Sequence, residues 1–307
     1  MKHSVEYYNK KNFLRKCLVI IPPYAWMFLF LFVPFLFVLK ISFTQSIIAS
    51  PPYTEIVTFS GHVMQIMLNF GNYAFIVQHK AFFIAYLLSI KTAFFTTLLC
   101  ILVGYPITYA IVVSNPKVRN ILFMLVVLPY WTSFLLRAYA WINILQINGL
   151  INQLLIKMHI IDIPLHMIYN SFSLYIGLVY GYLPFFILPL YASLIKLDRT
   201  LLEAAYDLGA PPWKSFVRIT LPLSMPGVLA GALLVFIPCV GEVVIPQILG
   251  GINTVMIGNV IWQEFFSANN WCIAAALAVI MLLVLVFPLV WLQRIQLKSE
   301  TRETKKV

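Results

Sequence analysis

The sequence predicts an all-α integral membrane protein with six transmembrane helices. Three observations carry that expectation. Of 307 residues, 62% are hydrophobic and 10% charged, and mean hydropathy is +0.91; a soluble domain would have to hide most of that surface. Uncharged apolar runs recur at 17–39, 92–113, 120–136, 172–195, 219–241 and 271–292. The basic residues alternate between the segments that join these runs.

A helix rises about 1.5 Å per residue, so about 20 residues cross a hydrocarbon core of about 30 Å. Five runs meet that length. The third, 120–136, is short, but apolar sequence continues beyond Arg137, whose long side chain can reach the interface. The weaker apolar stretch 81–90 ends at Lys91 and is expected at the membrane surface, leading into the second span. The first run is too long for a signal-peptide core and lacks a small-residue cleavage site, so it is expected to be retained.

Lys and Arg fall as five in 1–16, two in 114–119, four in 196–218 and five in 294–307, out of 21 in the chain. The loop 242–270 has none. Positive charge marks cytoplasmic segments. Both termini and the segments 114–119 and 196–218 are therefore expected in the cytosol. The net charge of +11 is topological and calls for no nucleic acid; the solvating partner is membrane lipid.

Three regions follow: 1–80 with the first span and an irregular outer loop, a core of five helices over 81–293, and a basic tail over 294–307. Within the outer segment 137–171, Asn148-Gly149 marks a turn, and Leu150, Ile151, Leu154, Leu155 and Met158 then recur at helical spacing. Gly177/Gly181 and Gly227/Gly231 form GxxxG patterns that let helix backbones approach. The four cysteines lie in or beside apolar runs and are expected as buried thiols.

Catalytic signatures are missing. No Gly is followed by Lys, so there is no phosphate-cradling Walker loop, and neither HExxH nor GxSxG occurs. Ionisable residues are absent from the centre of every run, where a proton-coupled carrier would need one. The chain is not expected to be an enzyme or to bind a cofactor. If it moves a solute uphill, a partner supplies the energy.

One polar stretch interrupts this pattern. Residues 203–222 read EAAYDLGAPPWKSFVRITLP. Thr200 and Glu203 are spaced as a capping box. Gly209 suits a left-handed stop, and Pro211 and Pro212 suit the first turn of a second helix. Two short helices around a sharp corner are expected, with Ala204, Ala205 and Gly209 as a low knob. The acids Glu203 and Asp207 argue against a helix resting on anionic headgroups.

The spacing EAA, three residues, Gly, nine residues, Ile, one residue, Leu-Pro resembles the signature loop of permease subunits of bacterial ABC importers. Glu203, Ala204, Ala205, Gly209, Ile219, Leu221 and Pro222 fit it at every position. The resemblance implies the type I ABC importer permease fold in the bacterial inner membrane. It implies that 198–222, Asp207 included, is a coupling element docking on a separate ATPase. It also implies a second permease, two ATPase subunits holding ATP and Mg, and a periplasmic substrate-binding protein. The segment 89–111, with Gly104, Pro106 and Tyr109, is similar to that family's entry into its core. The stretches 128–141, 236–251 and 256–266 resemble spermidine/putrescine permeases, and the likeness runs over 15–295. A putrescine or spermidine importer is therefore expected; an ABC permease for another small solute and an ATP-independent carrier are the alternatives.

Polyamines are flexible polycations. Their path wants carboxylates and aromatic faces. Candidates are Glu242, Glu264, Trp262, Tyr130 and Trp131. For the aromatics the competing role is the interfacial belt.

Overall fold

In the computed structural model, residues 18–304 are described, apart from 56, 61, 62 and 199. The basic cluster 1–16 and Cys17 lie outside the described residues. The chain forms two compact units, one reaching to Gln78 and including Glu264–Ile280, the other comprising His79–Gln263 and the chain from Met281 onward.

In the first unit, α1 (Leu18–Ser42) contains a π-helical turn at Phe28–Phe32. The segment 40–80, expected to be irregular, holds regular structure. Strands β1 (Val57–Ser60) and β2 (Val63–Ile66) form an antiparallel hairpin, with Val57 opposite Ile66. Helix α2 (Gly71–Gln78) follows. The buried Asn72 amide explains the order: its nitrogen donates to the carbonyls of Ser42 at 2.9 Å and Thr44 at 2.8 Å. Carbonyls orphaned at the end of α1 thereby gain a partner.

In the second unit, α3 (Lys80–Val113) is one helix of 34 residues. The stretch 81–90 is thus its first turns and not a separate surface segment. Phe82, Ala85, Tyr86 and Ser89 are buried, as are Thr92, Ala93, Thr96, Thr97 and Cys100. Spacings of three and four carry one stripe past Lys91 without a break.

The third span also departs from expectation. Helix α4 (Pro116–Val127) passes into a 3-10 turn at Leu128–Trp131, and α5 (Phe134–Leu145) starts afresh. Thr132 and Ser133 have ψ of 153° and 136° and extend the chain between them. The stretch long and apolar enough to cross a membrane is Phe134–Lys157, not 120–136. Even this stretch turns at 146–149, where Gly149 N–H donates to Gln146 O at 2.7 Å. Helix α6 (Leu150–Lys157) stands where the apolar spacing places it. Its fully buried residue is polar, however: Asn152 donates to the carbonyls of Ile147 and Leu165.

Helices α7 (Ser171–Leu194), α8 (Thr200–Asp207), α9 (Pro212–Val240), α10 (Val244–Leu249) and α11 (Ile257–Trp262) complete the unit. Helix α12 (Trp271–Thr304) spans the end of the chain, so the basic tail continues a helix as far as Thr304. Helices α3, α7 and α9 pack on one another and form the core. Gly227 and Gly231 set the α7–α9 distance. A Cβ on Gly227 would lie 2.5 Å from Ser193 Cβ, and one on Gly231 2.8 Å from Phe186 O. The second GxxxG pair receives α10: a Cβ on Gly177 would lie 2.9 Å from Ile245 Cγ2. Cys100, Cys239 and Cys272 are buried free thiols. Among the described residues, six segments are long and apolar enough to cross a membrane.

Candidate functional site

The polar stretch folds as a corner. At the start of α8, Asp198 Oδ1 accepts Thr200 N–H at 3.0 Å. Asp198 thereby takes the backbone donor that a capping box would give to the Glu203 carboxylate. At the other end Gly209 N–H donates to Tyr206 O at 2.8 Å and Ala210 N–H to Ala205 O at 3.0 Å. Those two bonds, with Gly209 at φ +78°, make a Schellman cap. Pro211 is extended, with ψ 154°, and Pro212 opens α9.

The second helix of the corner is not a short separate piece. It continues through a π turn at Phe216–Thr220 into the long apolar part of α9. Leu221 N–H donates to Phe216 O, five residues back. Pro222 explains the wider turn. Its ring clashes with the carbonyl four residues earlier in a regular α-helix, and the bulge ends just before it. The corner is therefore the stem of a membrane-length helix.

An aromatic wedge fixes that stem. Phe216 lies edge-on to Tyr105 and Tyr109, with centroids 5.6 Å and 5.5 Å away. The Tyr105 hydroxyl shares a 2.9 Å hydrogen bond with the buried Ser224 hydroxyl. Outward, the corner is bare: Leu208 is 89% and Trp213 65% exposed. Glu203, Ala204 and Asp207 are exposed beside them, whereas Ala205 is half-buried.

A second polar group lies among α5, α7 and α10. Glu242 caps α10: its Oε1 accepts Val244 N–H at 3.0 Å and Ile245 N–H at 3.4 Å. Its Oε2 accepts from the Tyr182 hydroxyl. Carboxyl oxygens at a helix N-terminus are stabilised by the aligned N–H groups. Nearby, the Tyr130 hydroxyl donates to Gly181 O. The Arg137 guanidinium lies 4.6 Å from the Tyr130 ring centroid and 5.6 Å from that of Phe134. Arg137 also lines a small cleft with Gly177, Gly181 and Ile245. It stands against the first half of α7.

A model of the binding-protein-dependent transport system inner membrane component family matches residues 101–301. The chain belongs to this family. It is 37% identical to the spermidine/putrescine transport system permease protein PotB of Haemophilus influenzae over 269 residues, 86% of this chain and 89% of that one. It is 35% identical to PotB of Escherichia coli K12, covering 85% of this chain and 90% of the relative. Among solved structures, a bacterial ABC transporter involved in alginate import has a chain that superposes with a TM-score of 0.61 at 18% identity, over 95% of this chain and 99% of its own. The methionine transporter MetNI gives 0.53 at 16% identity, over 69% and 92%. The fold is that of a type I ABC importer permease, and the protein is a multi-pass inner-membrane transport component.

In this permease the sequence-predicted residues separate into groups. Glu203, Ala204, Ala205, Asp207 and Gly209 share the corner. Ile219, Leu221 and Pro222 sit further on, where the bulge joins the straight part of α9. Glu242 and Tyr130 belong to the α5–α7–α10 region. Trp131, 81% exposed, turns away from the chain's interior. Trp262 is 47% exposed. Glu264 lies in the first unit, in a π turn at Gln263–Ser267. Sequence reasoning missed Tyr182, Phe216 and Asp198. For Asp198 the signal was present, an acid two residues before Thr200. For Tyr182 and Phe216 nothing but the fold distinguishes them from the other aromatic residues of the chain.

Proposed function

We propose that this chain is the membrane-spanning permease subunit of an ATP-driven importer of polyamines, putrescine or spermidine. The carrying observation is the 37% identity to a spermidine/putrescine permease over 86% of the chain. In this reading it forms half of the translocation path with a second permease. Two separate ATPase subunits hold and hydrolyse ATP, and a periplasmic substrate-binding protein delivers the solute. Both termini are cytoplasmic.

The corner at 198–222 is the contact for the ATPase. Its exposed Leu208 and Trp213 offer an apolar tip of the kind that central interface residues use. Because Trp213 lies on the same helix as the core of the bundle, displacement of the corner is transmitted to α9. Phe216 is the point of transmission to α3. On the solute side, Glu242, held by Tyr182 and the start of α10, presents its carboxyl group to ammonium groups. Tyr130 and Trp262 supply aromatic faces. Trp131 and Glu264 are the further candidates for the route.

The test is reconstitution with the ATPase, the partner permease and the binding protein in vesicles. ATP-dependent accumulation of labelled putrescine or spermidine supports the reading. Accumulation without ATP, or ATP-driven accumulation of another solute only, would overturn it.

A further inference from the structure

A cavity of about 300 Å³ lies beneath the corner. Its walls are mostly apolar, from α3, α7 and α8, but it also receives Arg119, Glu203 and Thr220. Two of these carry buried donors without a partner: Arg119 Nε and Thr220 Oγ1. Thr220 is 3% exposed, and its hydroxyl has no protein partner. Elsewhere in the chain the helical threonines Thr97 and Thr108 donate to the carbonyls one turn back, Ala93 O and Gly104 O; Thr220, in the π turn, has no such partner. Glu203 stands on the cavity's rim, on the face of α8 that also contributes Leu202 and Tyr206.

Unsatisfied buried donors cost free energy that a single acceptor can recover. A carboxylate is an acceptor at both oxygens and can serve two donors at once. We propose that α8 has a second, retracted position in which the Glu203 carboxylate enters the cavity and accepts from Arg119 Nε–H and Thr220 Oγ–H. Arg119 and Thr220 are then positioning residues for coupling, acting through Glu203. The cavity supplies the room for α8 to move without disturbing the α3–α7–α9 packing. The Schellman cap at Gly209 lets α8 pivot against α9 as a rigid turn. Opposite charges across an apolar-walled space give the retracted state its stabilisation.

This inference rests on the reading of the corner as the ATPase contact, and the experiment separates the two. The complete transporter is purified and reconstituted with its binding protein. Retention of the ATPase subunits and solute taken up per ATP hydrolysed are measured. Arg119→Gln should keep the ATPase bound but lower uptake per ATP about ten-fold, the scale of one charge-assisted hydrogen bond. Arg119→Lys should restore most of it. Thr220→Val, isosteric and lacking only the donor, should lower the ratio about three-fold. The double variant Arg119→Gln with Glu203→Gln should couple no worse than Glu203→Gln alone. Parent-like coupling in both Arg119→Gln and Thr220→Val, or losses that multiply in the double variant, overturn the retracted position. Failure of the docking reading looks different: Leu208→Asp at the exposed tip would then leave the ATPase fully bound.

Discussion

The Phe216 ring meets the Tyr105 ring edge-on, with centroids 5.6 Å apart and planes at 88°. This contact ties the stem of the corner to α3. Edge-to-face pairs contribute about 0.5–1.5 kcal/mol beyond their buried area, and Tyr109 supplies a second at 5.5 Å. Phe216→Ala should therefore loosen transmission before it loosens the fold. Uptake per ATP hydrolysed is expected to fall about ten-fold, equivalent to about 1.4 kcal/mol, with ATPase retention unchanged. Phe216→Tyr, which keeps the ring, should stay near the parent. Equal coupling in the alanine variant would show that the wedge transmits nothing.

Gly209 presents the opposite problem. A Cβ there would meet nothing within 4 Å, but φ is +78°. The cost of substitution is therefore conformational, about 1–2 kcal/mol for an L-residue in the left-handed region. Gly209→Ala should weaken ATPase retention about five-fold or more, and Gly209→Asn, which tolerates that region, should be milder. The quantity to measure is the concentration of ATPase subunit giving half-maximal assembly.

Gly227 inverts the argument, because its constraint is space. Gly227→Ala places a methyl 2.5 Å from Ser193 Cβ and 3.1 Å from Leu190 Cα. Neither neighbour is the end of a flexible chain, so α7 and α9 must separate. Overpacking of this kind costs about 1–3 kcal/mol. The detergent-solubilised variant should unfold at a lower temperature than the parent. Gly209→Ala should lower it less, since an exposed turn with nothing within 4 Å can relax locally and the α7–α9 packing cannot.

These contrasts bear on what a sequence can disclose. The corner was legible because capping is local: Gly209 and the Pro211-Pro212 pair announce it within a few residues. At its start the Asp198 and Glu203 carboxylates are both within a turn of the one Thr200 N–H, and Asp198 takes it. The long α3 was not legible, since Lys91 interrupts the apolar run while leaving the buried stripe intact. Counting charge-free residues sees the run, whereas packing follows the stripe. Beside the break at 132–133, Tyr130 bonds Gly181 O on another helix, and no local pattern encodes that contact. The same holds for Glu242: its place at the end of a run was visible, but its donors come from Tyr182 and α10.

Glu242 is held on both oxygens, and that determines what its substitution does. Glu242→Gln keeps the size and one acceptor but turns the other oxygen into an amide nitrogen, which cannot accept from Tyr182 or from the α10 N–H groups. Polyamine uptake should show a KM raised about ten-fold, the scale of one charge-assisted hydrogen bond to an ammonium group, while the assembled complex is recovered in normal yield. Tyr182→Phe removes one donor and leaves the charge. It should therefore change KM less than Glu242→Gln does. A larger effect from Tyr182→Phe would mean that Glu242 serves the fold and not the solute.

Glu264 gives a pH-dependent prediction. It lies outside the membrane-length segments, and burial pushes its carboxyl above the ordinary carboxylate range. The folded chain thus holds this proton more tightly than the unfolded chain does. The resulting stabilisation is complete below the unfolded value of about 4.3 and is lost as pH rises through the raised folded value. Glu264→Gln removes the titration and with it the loss. The variant should therefore melt above the parent at pH 7, and the two should converge toward pH 4. Thermal unfolding in detergent at both pH values measures the difference directly. A gap that is the same at pH 4 and pH 7 would assign the effect to side-chain packing, because packing does not follow the proton.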